Sequence, residues 1–314
     1  MAKYRANLPQ LNGGKFITDG GLETTLVFHE GHDLPEFAAF NLLKNDGGYG
    51  IFEKYYSTYA AIAIDHNIGL ILESFTWRAS SIWGEKLGYS KKALADVNHK
   101  AIELLHDVRN EYENEKTKMV IGGCIGPRGD GYNPDNLMSE EEAQRYHTIQ
   151  IETFSNTRAD FVSASTMNNA EEAIGLTRAA KAAGMPVVIS FTVETDGKLP
   201  SGQALKEAIE KVDKATNNTP AYYMVNCAHP THFEGALASG ESWVQRIFGI
   251  RANASTKSHA ELDEAEKLYD GNPVELGRKY KELTDRLHHL NVLGGCCGTD
   301  HRHIEEICKA WIGN

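Results

Sequence analysis

Eight short apolar runs alternate with longer amphipathic stretches along 314 residues, with no linker between them, and predict an α/β chain folded as a single (β/α)8 TIM barrel over residues 1–314. The runs fall at 15–21, 69–75, 119–126, 160–165, 186–192, 221–227, 246–252 and 291–297. They are rich in Val, Ile and aromatics and end at Gly, Asn, Asp, Ser or Cys, the pattern of strands buried on both faces. The competing arrangement is an open doubly wound sheet, which usually divides into two domains near this length.

The intervening stretches carry helical signals. "SEEEAQRYHTIQIETFSNTRA" opens with Ser139 and Glu142 at capping-box spacing. "NAEEAIGLTRAAKAAGMP" has apolar residues at helical intervals and stops at Gly184, two residues before a proline. "SKKALADVNHKAIELLHDVRNEYENE", "GQALKEAIEKVDKA" and "NPVELGRKYKELTDRLHHL" follow the same pattern, and a further helix start follows "GGCCGTD". Active sites of such barrels lie at the C-terminal ends of the strands, so polar residues there are the candidates for chemistry.

Composition narrows the function. With 41% hydrophobic and 24% charged residues the chain reads as a soluble globular protein. A formal charge of −11 argues against nucleic acid as a partner, because phosphate binding needs a positive face. The most apolar stretch, "YAAIAIDHNIGLILESF", is broken by Asp65, His66 and Asn67 and does not read as a membrane span. The leading residues "MAKYRANLPQLNGG" lack the apolar core of a secretory signal. Five cysteines, an odd number, do not make a disulfide framework and point to a reducing, cytoplasmic setting. Self-association is compatible with a barrel of this kind, so a homo-oligomer stays open.

The strand ends carry Asp19, Gly20, Gly21 and Glu23; Glu73, Ser74, Phe75, Thr76 and Trp77; Cys124; Ser163, Ser165 and Thr166; Thr192 and Glu194; Asn226, Cys227 and His229; Arg251 and Asn253; and Cys296 with Cys297. Three cysteines at the tips of the sixth and eighth strands suit a soft, tetrahedral metal, with zinc as the default. Adjacent residues of a regular strand face opposite ways. Cys296 and Cys297 can therefore share one ion only if the strand has ended, and Gly294, Gly295 and Gly298 supply backbone freedom for that bend.

Two alternatives stand beside this. His229, His301 or His303 would close a structural Cys3His site, giving a barrel that binds a metabolite without turnover; or the cysteines are idle, Cys227 a small buried residue and the pair without a role. An open three-thiolate zinc has different consequences. The site keeps a net negative charge, which makes it a weak Lewis acid for hydrolysis. A metal-coordinated thiol is ionised at neutral pH, against a free pKa of about 8.5. Alkyl transfer to a substrate sulfur is the chemistry this favours, with no catalytic side chain required beyond the zinc-bound substrate thiolate.

"ITDGGLETTL" (17–26), "VNCAHP" (225–230) and "GGCCGTDHRHI" (294–304) together resemble the zinc-dependent homocysteine S-methyltransferase family, which includes the betaine- and S-methylmethionine-dependent enzymes. The resemblance runs from the first strand to the last helix. It implies zinc held by Cys227, Cys296 and Cys297, a thiol acceptor (homocysteine giving methionine), and an onium methyl donor. It also implies that Asp19, with the backbone at Gly20 and Gly21, orients the amino-acid end of the acceptor; Asn226 is placed on the substrate side with them. A different thiol, or the reverse demethylation of a thioether, is the alternative within this chemistry.

Two segments depart from the family pattern. At the fourth strand end, where the family usually has Glu-Thr with the carboxylate on the substrate ammonium, this chain has Ser165 and Thr166. Glu73, from the second strand, is the candidate replacement carboxylate. "RANASTKSHAELDEAE" replaces the family's Tyr-Pro-Asn-Ser-Gly segment, and its "SHAELDEAE" part reads as a solvated acidic loop or helix start. Phe75 and Trp77 offer ring faces to an onium cation, though either one alone is more simply barrel-mouth packing. Glu194 and Asp196 form an acidic loop near the mouth. His29, His32, His99 and the His288–His289 pair read as surface or core histidines. No G-x-G-x-x-G turn opens a helix after a strand, so a Rossmann-type site for adenosylmethionine is not expected.

Overall fold

The computed structural model describes residues 1–45, 47–265 and 267–313. Eight parallel strands close into a barrel in chain order: β1 Phe16–Ile17, β2 Gly69–Glu73, β3 Met119–Ile125, β4 Phe161–Met167, β5 Val187–Phe191, β6 Tyr222–Asn226, β7 Ile247–Ala252 and β8 Val292–Gly295. The ring shuts where Phe16 and Ile17 pair with Val292 and Leu293. Helices fill the crossovers and the C-terminal end, among them Gly48–Asp65, Lys91–Tyr112, Glu140–Ser155, Ala170–Ala182, Leu205–Thr216, Pro230–Leu237, Pro273–Arg286 and His301–Ile312. The expected (β/α)8 barrel is the observed fold.

Local chemistry explains the boundaries. Ser139 and Glu142 form the expected reciprocal capping box before Glu140–Ser155, and Asn169 caps Ala170–Ala182 by accepting from the Glu172 N–H. The apolar stretch 59–75 divides at Asn67, whose φ of +52° turns the chain from the helix Gly48–Asp65 into β2. β1 is much shorter than residues 15–21: its hydrogen bonds to β8 run on to the Asp19 carbonyl, which accepts the Gly295 N–H (2.9 Å), and the chain then forms the loop at the mouth. No helix among the described residues is long and apolar enough to cross a membrane.

The barrel interior is graded along its axis. Near the N-terminal ends of the strands an apolar plug forms from Phe16, Ile71, Val120, Phe161, Val188, Tyr222 and Val292, with Leu8 packed beneath it. Gln10 seals this floor by donating to the Tyr222 hydroxyl (3.3 Å), while the Asn291 amide donates to the Gln10 carbonyl. Two residues further along the same inward faces the plug gives way to Glu73, Gly122, Ser163, Ser190 and Met224, and two further still to Cys124, Ser165 and Asn226. The period of two that fills the core thus also delivers polar groups to the open end. The separate shell between strands and helices is apolar and holds most of the core.

Candidate metal centre and substrate cavity

The strands end around a cavity of about 620 Å3, within the usual range for small-molecule sites. Asp19, Gly20, Gly21, Glu73, Ser165, Thr166, Asn226, Cys227, Cys296 and Cys297 all line it. One sulfur from each of Cys227, Cys296 and Cys297 lies within 4.8 Å of the others, with 3.5 Å between Cys227 Sγ and Cys297 Sγ. No histidine or carboxylate among the described residues joins the group. His229 instead caps the helix Pro230–Leu237, its Nδ1 bonded to Thr231, and His303 sits between Asp300 and the Asp270 carbonyl.

Three sulfurs converge because the backbone is bent at two places. β8 ends at Gly295, so Cys296 and Cys297 lie in the turn beyond it, which Gly298 completes with a φ of +79°. The Cys296 N–H donates to the Ala252 carbonyl (2.8 Å), the Thr299 hydroxyl donates to the Cys296 carbonyl (2.7 Å), and the Ala254 N–H donates to the Cys297 carbonyl (3.1 Å). Gly294 and Gly295 act differently from expectation. Neither has a positive φ; a Cβ on them would run into the Thr18 and Thr299 side chains, so they serve close packing.

The second bend is at Cys227, a non-glycine residue at φ +56°, a conformation of the sort that costs about 1–3 kcal/mol. It is held by its N–H on the Arg251 carbonyl (3.0 Å) and by the Asn253 amide on its own carbonyl (3.0 Å). Thr166, at φ +62°, is fixed by Asn226, whose Oδ1 accepts the Thr166 N–H (2.9 Å) and the Ser190 hydroxyl (2.6 Å) while its Nδ2 donates to Thr166 Oγ1 (2.9 Å).

The electrostatics favour one thiolate in the group. Hydrogen bonds from Cys227 and Cys297 hold the Cys296 thiol well below its ordinary pKa, and the Arg251 charge adds to this, while the other two thiols are pushed up. Tyr132 closes over the group, its hydroxyl 2.8 Å from Cys227 Sγ and its ring stacked on His259 at 4.2 Å. This donor set of clustered sulfurs, one already disposed to ionise, fits a soft cation.

Below the sulfurs lies an ionic layer. Arg251 Nη2 donates to Asp19 Oδ1 at 2.6 Å and Nε to the Gly295 carbonyl at 3.1 Å; the Tyr55 hydroxyl donates to Asp19 Oδ2 at 3.1 Å. Glu73 Oε2 accepts from Ser163 at 2.6 Å. Burial pushes the Glu73 carboxyl up, opposed by Arg251 and Ser163. Burial alone would lower Arg251, but Asp19 and Glu73 hold it above its ordinary value. Asp19 holds the guanidinium by a direct ion pair, while Glu73 acts on it through its charge alone. Glu23, also on the cavity wall, is raised to about 7, chiefly by desolvation.

The structure redistributes several sequence assignments. Phe75 and Trp77 both line the cavity, Phe75 with one face stacked on Phe52 at 3.6 Å and Trp77 with Arg78 5.0 Å from its ring. Glu194 and Asp196 are not on the cavity wall. The "SHAELDEAE" stretch does start a helix: Ser258 and Glu261 form a capping box, and the helix His259–Asp263 contributes His259, Leu262 and Asp263 to the cavity wall, which was not expected; Glu266 lies outside the described residues. The S-x-x-E signal was present in the sequence. Arg251 was marked only by its place at a strand end and Tyr132 by nothing, since their partners lie 232 and 95 positions away.

The profile of the family described as homocysteine S-methyltransferase matches residues 16–311. The chain belongs to the homocysteine S-methyltransferase family. Among curated members it is 21% identical to homocysteine S-methyltransferase 1 of Arabidopsis thaliana, over 95% of this chain and 93% of that one. It is 24% identical to betaine–homocysteine S-methyltransferase 1 of Bos taurus, over 76% of this chain and 60% of that one. Among solved structures, the homocysteine methyltransferase MmuM of Escherichia coli in its oxidized form superposes with a TM-score of 0.76 at 17% identity, covering 97% of this chain and 99% of that chain. The metallated form of the same enzyme gives 0.73 at 16% identity. Membership makes this chain a methyltransferase-family enzyme acting on small molecules, and the three-sulfur group lies on the motifs that first suggested the family.

Proposed function

We propose that this protein is a zinc-dependent thiol S-methyltransferase that moves a methyl group from an onium donor to homocysteine. The observation that carries the reading is the convergence of Cys227, Cys296 and Cys297 within 4.8 Å at the mouth of a small-molecule cavity, with no fourth protein ligand among the described residues. These three residues would hold the zinc. When bound, the ion supplies the positive charge that ionises an incoming thiol at neutral pH.

The chain's own residues do the rest. The Arg251 carbonyl and the Asn253 amide hold the strained backbone that presents the Cys227 sulfur, and Asn226 fixes Thr166 beside it. Arg251, Asp19 and Glu73 form a charged base below the sulfurs for the polar end of the acceptor. Tyr132, His259 and Trp77 form the upper wall, and the donor approaches from that side, so that nucleophile and methyl carbon meet in one line. The transfer breaks the methyl–onium bond and forms the methyl–sulfur bond, and the donor leaves as a neutral amine or thioether. We place the enzyme in the cytoplasm, where free thiols persist; all five cysteines are unpaired. Self-association remains part of the proposal, to be read by sedimentation.

The test is a metal assay joined to a screen of thiols against quaternary-ammonium and sulfonium donors, with methylated product detected by mass. The reading expects about one zinc per chain and a thiol-dependent product. Donor turnover without any thiol would replace it with a hydrolase; a metal whose coordination ignores added thiol would replace it with a structural site.

A further inference from the structure

The ionic layer below the sulfurs has unused hydrogen-bonding capacity on both signs of charge. Arg251 gives Nε to Gly295 and Nη2 to Asp19, but among the described residues no protein acceptor meets Nη1. Glu73 takes the Ser163 hydroxyl on Oε2, and among the described residues no donor meets Oε1. Neither atom is among the fully enclosed polar atoms without a partner, and both residues line the cavity, so both atoms border it. Asp19 differs: Arg251 and Tyr55 already occupy its two oxygens.

The fold makes room for this arrangement. Gly122 pairs with Glu73 across β2 and β3, and a Cβ on Gly122 would lie 2.9 Å from Glu73 Oε2 and 2.8 Å from the Phe161 ring. A carboxylate is thus seated where a side chain of β3 would otherwise stand. Its one hydrogen-bond partner is a neutral hydroxyl, and it is only 6% exposed. A buried carboxylate in this state calls for a cation. The fourth strand end, by contrast, offers the uncharged Ser165, whose hydroxyl is 3.7 Å from Cys124 Sγ.

We infer that Glu73 and Arg251 form the amino-acid clamp of this enzyme, Glu73 Oε1 taking the α-ammonium and Arg251 Nη1 the α-carboxylate of the acceptor. The zwitterion of the acceptor is then read by side chains of β2 and β7 in place of a carboxylate on β4. The inference rests on the thiol-methyltransferase reading and assigns the residues that read the acceptor within it.

Three thiols test it: homocysteine, its analogue without the carboxylate (aminopropanethiol) and its analogue without the amine (mercaptobutanoate). Glu73→Gln is expected to weaken homocysteine and aminopropanethiol by about tenfold to a hundredfold, the effect of losing one charge-assisted hydrogen bond, and to leave mercaptobutanoate unchanged. Arg251→Lys keeps a cation for Asp19 but loses the fork, and is expected to weaken homocysteine and mercaptobutanoate while sparing aminopropanethiol. KM is read by methyl transfer and Kd by calorimetry on the metal-loaded protein, with thermal melts to confirm folding. Equal losses across all three thiols, no loss, or a change confined to the donor's KM would overturn the clamp. Failure of every onium donor to methylate any thiol would instead overturn the transferase reading, while the calorimetric pattern would still decide the clamp.

Discussion

Gly21 offers a quantitative link between the first strand and the metal centre. Its φ of −79° is ordinary, so an alanine there is not excluded by backbone conformation. Space is the obstacle: a Cβ would stand 2.5 Å from the Cys296 carbonyl oxygen, about 0.9 Å inside the 3.4 Å at which ordinary contact begins. That oxygen belongs to backbone pinned by Thr299 and Ala252, so the strain passes to the turn that carries two of the three sulfurs. Metal sites tolerate ligand displacements of only about 0.2 Å, and disturbing what supports a ligand typically costs about 10–100-fold in affinity. Gly21→Ala is therefore expected to weaken zinc binding by at least about tenfold and to destabilise the fold by about 1–3 kcal/mol. Competition against a chromogenic chelator reads the first and thermal unfolding the second. Gly50→Ala, with nothing within 4 Å of the added carbon, is the control and should leave both unchanged or slightly improved. Unaltered zinc affinity in Gly21→Ala would refute the idea that this glycine exists to let Cys296 approach.

Other substitutions separate the remaining parts. Cys297→Ala should abolish both zinc retention, measured by elemental analysis, and methyl transfer; full activity in this variant would remove the basis of the mechanism. Asn226→Ala strands the buried Thr166 N–H and frees a residue held at φ +62°, and should cost about 1–3 kcal/mol in chemical unfolding. His229 must be neutral for its Nδ1 to accept the Thr231 N–H, and burial, helped by His232 and Lys279, lowers its pKa from 6.5 to about 4. The unfolded chain then binds more protons between those values, so the native state loses stability as pH falls from about 6.5 towards 4. His229→Asn keeps an acceptor without the titration, and denaturation at several pH values should show a flatter profile over that window.

The barrel was legible because the strands, apart from Phe248 and Arg251 in β7, are buried on both faces and so read as mostly apolar runs. The adjacency of Cys296 and Cys297 was legible too, since two neighbouring side chains can converge only after a strand has ended, and β8 does end at Gly295. What stayed hidden depends on closure. Arg251 and Asp19 meet only because β7 and β1 flank β8 in a closed ring, across 232 positions of sequence. Glycine was half-legible: Gly294 and Gly295 were expected to supply backbone freedom and instead serve close packing, because a conformational need and a spatial one look alike in sequence. The stretch around His259 showed its helix start but not its place on the cavity wall, because a short capped helix on the rim is as polar as a solvated surface.

The plug of Leu8, Phe16, Phe161 and Val292 shuts one end of the barrel, and the cavity lies at the other end, beside Tyr132. Both substrates then share one entrance. On the proposed seating, with the thiol against the inner charged layer and the donor above it, the acceptor boards first and the spent donor departs before the methylated product. Steady-state kinetics of such a dead-end chamber follow a compulsory sequence, which product-inhibition patterns reveal without any mutation.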